Sequence, residues 1–209
     1  MDVLLSFAAA LVSLRLAGSL FRGGRPAWGG ALLAYAAATA ATAWGSAHGW
    51  DSRSFRVYYL AGGLLTAPLL GVGSLLFMHK KWAAPLGFAW TGLSVGLVLA
   101  MPVHGAFTTK TPAAQDHLDW LPRVFAIAGN SLGTVAVVLV AISTFRRRPV
   151  GNAFILAGVA VAAAGSTVSG LGVAGASGFA LVAVILLYLG VVEPSLAPIT
   201  RRASRAAAR

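Results

Sequence analysis

The sequence predicts an all-α transmembrane protein, a seven-helix bundle with its N-terminus outside and its C-terminus in the cytoplasm. Three observations carry that expectation. Seven apolar stretches are each long enough to cross the roughly 30 Å hydrocarbon core of a bilayer. The connectors between them alternate between basic and nearly neutral, the asymmetry that orients helices in membranes. Finally, 58% of the 209 residues are apolar, 10% are charged and mean hydropathy is +0.81, which leaves too little polar surface to coat a soluble globule.

The stretches fall at 3–21, 27–47, 55–78, 82–101, 121–145, 150–171 and 174–192, giving a transmembrane domain over 1–194 and a basic cytoplasmic tail over 195–209. The first is preceded by Asp2 and followed by Arg22 and Arg25, so it reads as an uncleaved helix and not as a secretory signal. The second opens at Pro26, which suits a first helical turn. In the third, Pro68 stands between Gly62-Gly63 and Gly71-Val72-Gly73, predicting a kink near mid-membrane beside Thr66 and Ser74. The fourth follows Lys80-Lys81, and the fifth follows the one long connector. The last two come from a single uncharged run of 43 residues, Val150 to Val192. As one helix it would be about 64 Å long, two bilayer cores, so the glycines between 170 and 178 should break it.

Orientation follows from the Lys and Arg positions. Arg22, Arg25, Lys80, Lys81, Arg146, Arg147, Arg148, Arg201, Arg202, Arg205 and Arg209 fall on one side; Arg53, Arg56, Lys110 and Arg123 fall on the other. Eleven against four places the larger group in the cytoplasm. Trp28 and Trp82 then mark the inner interface, and Trp44, Trp50 and Trp120 the outer one. The net charge of +11 would suggest nucleic acid in a soluble chain, but here it decorates span ends, so the expected partner is the lipid bilayer and not nucleic acid. A bias to Ala, Gly and Arg points to a bacterial cytoplasmic membrane.

Several chemistries lose their residues. The chain has no cysteine, which excludes disulfides, thiolate zinc and iron-sulfur clusters, and no cofactor is implied. No carboxylate lies in mid-membrane for a proton pump, and all three lysines sit in connectors, away from any retinal pocket. The spans also lack a His or Asp to activate a Ser or Thr nucleophile, so no catalytic residue is assigned.

The candidate sites that remain are few. The outer connectors gather His48, Asp51, His104, Asp116, His117 and Asp119, imidazoles and carboxylates suited to a divalent metal, though without any tight ligand spacing. In the long connector, Thr111 as cap and Pro112 at the first helical position suggest a short helix on the outer interface. Arg15 and Glu193 both lie toward the cytoplasmic face and could pair. Gly158, Gly165, Ser169 and Gly172 offer a small-residue face to a second copy or another membrane protein. Phe21 to Pro26 and Phe145 to Pro149 are similar basic turns ending in Pro, as a three-plus-one-plus-three repeat with the fourth span as linker would produce.

The segment from Gly49-Trp50-Asp51 through Phe55-Arg56-Val57-Tyr58-Tyr59 to Gly62-Gly63, continuing to Leu70-Gly71-Val72-Gly73, resembles a pattern in a family of seven-helix bacterial membrane proteins with no assigned activity. The resemblance covers about a quarter of the chain and implies a multi-spanning fold alone. Physically, Arg56 with Tyr58 and Tyr59 at an outer helix start can anchor to headgroups or bind an anion. By exclusion the sequence favours a non-enzymatic sensor, accessory or interaction subunit. A small-solute facilitator is the alternative, and an outer-face metal-binding protein or metal-dependent enzyme comes third.

Overall fold

The computed structural model describes residues 2–108, 110–170 and 176–192, and it is all-helical, with 83% helix and no strand among the described residues. The helices are α1 (Asp2–Arg22), α2 (Pro26–His48), α3 (Ser52–Tyr58), a π-helical segment (Tyr59–Leu65), α4 (Thr66–Phe77), α5 (Ala83–Ala100), α6 (Ala114–His117), α7 (Trp120–Ser143), α8 (Pro149–Gly170) and α9 (Ala176–Val192). Helix and apolar stretch coincide to within a few residues throughout. Four helices among the described residues are long and apolar enough to cross a membrane: Val3–Arg22, Ser52–Phe77, Ala83–Ala100 and Trp120–Ser143.

The helices close into a ring. Helix α1 packs on α2 and α9; α2 packs on α3, the π segment and α4; α4 packs on α7, α7 on α8, and α8 on α9. Helix α5 stands outside the ring against α4 and the π segment, with Phe88 79% and Leu99 76% exposed. One end of the ring carries the basic turns and is called the basic end; the other carries residues 102–108 and 110–119 and is called the loop end. Between the ends lies an apolar core that includes Leu32, Leu70, Val137, Ile155, Val184 and Leu187.

Pro68 explains the π segment. It has no N–H, so Leu64 O lacks its donor four residues on, and Gly63 O lacks the donor five residues on that a π register would use. Two neighbours replace them: Trp90 Nε1 of α5 donates to Leu64 O at 2.8 Å, and Asn130 Nδ2 of α7 donates to Gly63 O at 2.9 Å. Thr66 turns its hydroxyl and its N–H back to Ala61 O. The irregularity expected at Pro68 is therefore a π segment on its N-terminal side. Just past it, α4 and α7 cross backbone to backbone, where a Cβ on Gly71 would stand 2.9 Å from Gly133 Cα.

Helix ends are closed in two ways. At the basic end, Gly24 (φ 70°) and His79 (φ 60°) hold left-handed turns in which Arg25 N–H donates to Leu20 O, and Lys80 N–H to Leu75 O. Arginines from neighbouring helices do the rest. Arg56 donates to Val98 O and, at 2.7 Å, to Met101 O at the end of α5. Arg148 donates to Gly190 O at 3.1 Å, and Arg25 to Val191 O, at the end of α9.

Three expectations need correction. Trp28 and Trp50 are buried inside the chain and do not face outward, because Gly73 and Gly45 leave slots that their rings fill. Gly158 faces Leu187 of α9 inside the chain, where an added Cβ would come within 2.8 Å, so it does not serve a partner; Ser169 and Gly172 fall where no side chain is described. The short helix starts after Ala113 with no side-chain cap, since Pro112 is buried and does not open it.

Trp90→Phe keeps an aromatic ring and removes the donor to Leu64 O. We expect it to cost about 1 kcal/mol in the parent chain. The cost should be smaller in Pro68→Ala, where residue 68 regains an N–H. Thermal unfolding of the four chains in detergent reads this cycle, and equal costs in both backgrounds would refute the pairing.

Candidate functional site

Two clefts open at opposite ends of the helix ring. The loop-end cleft, about 840 Å³, draws Ser6 from α1, Tyr35, Thr39 and Thr42 from α2, Tyr58, Tyr59, Gly62 and Gly63 from the third span, Arg123 and Asn130 from α7, Gly165 from α8 and Ala180 from α9. Helical spacing gathers them: 35, 39 and 42 share one face of α2, and 120, 123, 127 and 130 share one face of α7. A strap, Thr111 to Gln115, forms part of its lining. The basic-end cleft, about 640 Å³, is lined by Arg25 and Trp28, by Gly73, Ser74 and Leu76 to His79, and by Thr144, Arg147, Arg148 and Asn152.

The core adjoins both clefts. Tyr35 borders the core and lines the loop-end cleft, while Val137, Ile155 and Val191 belong to the core and line the basic-end cleft.

Polar groups along the clefts are mostly fixed in place. Tyr59 Oη donates to Pro122 O at 2.8 Å, tying the third span to the first turn of α7. Thr39 and Thr42 return their hydroxyls to their own helix. Asn152 Nδ2 donates to Thr144 Oγ1 at 2.9 Å, joining α8 to the turn after α7. Arg148 is 9% exposed, its guanidinium 5.0 Å above the Phe77 ring. Arg123 lines the loop-end cleft half-buried, with no hydrogen bond or ion pair among the described residues.

The six metal candidates are dispersed. Among the described residues no group of three His, Asp or Glu side chains is placed to hold a metal ion. Each is engaged or apart: His48 stacks on Trp44 at 4.2 Å, and Asp51 caps α3. His117 is buried against Phe107 (4.4 Å) and Phe55 (5.5 Å), its Nδ1–H donating to His104 O at 2.8 Å, while His104 N–H donates back to His117 O. A carbonyl only accepts, so Nδ1 carries the proton. His104 Nε2 meets Asp119 at 3.5 Å, both well exposed, and Asp116 points to solvent. The long connector uses these groups to fold itself.

The remaining candidates divide. Tyr58 and Tyr59 enter the loop-end cleft, whereas Arg56 turns to the end of α5. Arg15 is exposed on α1, and Glu193 lies outside the described residues, as does the 195–209 tail. Sequence reasoning passed over Tyr35, Asn130 and Asn152. The two asparagines were the available signal, being the only ones in the chain and each within an apolar stretch. No known protein family, curated protein or solved structure matches the chain.

Two outcomes are expected. Zinc should leave the melting temperature unchanged, and a saturable rise would restore the metal reading. Ser54 donates its backbone N–H and its hydroxyl to Asp51, at 2.6 and 2.7 Å, which holds the Asp51 carboxyl below its usual range. A lowered folded-state pKa means the cap stabilises fully above the unfolded value, near ~3.9, and is lost as pH falls through the folded value. Asp51→Ala should therefore melt lower at neutral pH and lose less stability than the parent on acidification below about pH 4, as differential scanning fluorimetry across pH would show.

Proposed function

We propose that this chain is a seven-span protein of a bacterial cytoplasmic membrane, N-terminus outside, and that it is a facilitator giving a small solute alternate access to the two clefts. The carrying observation is the pair of clefts at opposite ends of one six-membered ring, separated by an apolar core. Alternate access needs two such openings and a sensor or accessory subunit does not, so the paired clefts favour transport over the reading by exclusion.

Ring order supports the same view. Exchanging α1, α2 and the third span for α7, α8 and α9 maps the ring onto itself and leaves α5 outside, as a three-plus-one-plus-three repeat with a linker helix would. In this topology the loop-end cleft faces outward and the basic-end cleft faces the cytoplasm. Membership of the seven-helix bacterial family that the third span resembles belongs to the same proposal.

The absence of cysteine makes the test direct. Thr42→Cys places a thiol in the loop-end cleft and Leu76→Cys one in the basic-end cleft. A membrane-impermeant maleimide should label the first in intact cells and the second only after lysis, and labelling the first should slow uptake of glycerol or lactate into proteoliposomes. Labelling of both thiols from one side would overturn the topology. Flux of both solutes equal to that of empty vesicles would overturn the facilitator.

A further inference from the structure

We propose that the loop-end cleft is a binding site for the carboxylate of a small organic acid, received by Arg123. This deepens the facilitator reading by naming a substrate class, and it takes that cleft as the entry. Arg123 is a half-buried cation in the cleft wall with neither ion pair nor hydrogen bond among the described residues. None of the cleft's described lining residues is acidic. The nearby carboxylates are committed or turned outward: Asp51 to its own helix cap, Asp119 to His104, Asp116 to solvent.

The helix that carries Arg123 contributes as well. Asp119 stands at the N-cap of the 24-residue α7 but makes no capping bond with its side chain, so the N–H groups of Trp120 and Leu121 are not taken up by it, and Arg123 follows one turn on. The Tyr59 hydroxyl holds Pro122, the preceding residue, in place. Across the cleft, Tyr35 and Tyr58 offer hydroxyls and ring faces for the rest of an amphipathic anion. A cation would meet only repulsion, and a neutral solute would leave the guanidinium unused.

The enclosure favours a soluble anion over a phospholipid. Six helices of the ring and the 111–115 strap contribute to its lining, which suits a small soluble anion better than a two-chain phospholipid. The basic-end cleft differs: Arg25 and Arg148 in its lining are taken up by the end carbonyls of α9.

Equilibrium dialysis of the full chain in detergent at pH 7.5 tests this without requiring transport, so its failure and that of the facilitator reading are separable. The probe is labelled benzoate, with benzamide as its neutral counterpart. We expect saturable benzoate binding that benzamide does not displace, about tenfold weaker in Arg123→Gln and nearly kept in Arg123→Lys. Thr111→Asp, at an exposed position of the strap, should weaken binding while Thr111→Asn does not, which keeps the test intact if Arg123→Gln fails to fold. Equal displacement by benzamide, parental affinity in a folded Arg123→Gln, or phosphatidylglycerol retained at the site to the exclusion of benzoate would each overturn the proposal.

Discussion

The arrangement of the third span rests on two hydrogen bonds that replace what Pro68 removes. A backbone carbonyl left without a donor in an apolar interior costs several kcal/mol. Leu64 O and Gly63 O escape that cost only because Trp90 and Asn130 reach them from separate helices. This fixes where α5 and α7 must stand. Trp90 also lies on Phe125 of α7, rings 4.2 Å apart and 3° from parallel, and fills the space that Gly129 leaves. Helix α5 is outside the ring, yet its indole is pinned between the π segment and α7.

Charge follows a related logic. Each helix ends with carbonyls that have no partner within it, and in apolar surroundings these need donors as much as the Pro68 gap does. Arg56 supplies them for α5, and Arg25 with Arg148 for α9. Positive groups at a helix C-terminus also oppose its dipole. The excess of Arg at the basic end therefore has a packing role beside any part in orientation. Arg148, buried and stacked over Phe77, could not be exchanged for a lysine without losing the planar fork that meets adjacent carbonyls.

Helix positions were legible in the sequence because apolar runs, glycine breaks and Pro at first turns are local signals. Ring order was not, since near-uniform stretches of Ala, Leu, Val and Gly do not say which face meets which neighbour. That is why Gly158 read as an outward face although it lies under Leu187. The outer His and Asp residues read as one cluster because they share a side of the chain. Their separation depends on a cap at Asp51 and on the reciprocal bonds between His104 and His117, a pairing across a loop that spacing does not reveal. Pro68 was a sound pointer, but its consequence needed Trp90 and Asn130, which lie 22 and 62 positions away.

The π segment also decides what the third span presents to each cleft. Its extra residue turns everything beyond it by about 100° relative to a continuous α-helix. With that rotation, Gly71 meets Gly133 at the crossing of α4 and α7, while Tyr58, Tyr59, Gly62 and Gly63 line the loop-end cleft and Gly73, Ser74 and Phe77 line the basic-end one. Without it, Leu70 or Val72 would take the place of Gly71, and a branched side chain would enter a crossing too tight for even a methyl group. Helices α4 and α7 would then be forced apart, carrying Asn130 out of reach of Gly63 O. The donors that answer Pro68 and the glycines that let the helices touch are thus parts of one solution, and the two clefts lie on either side of it.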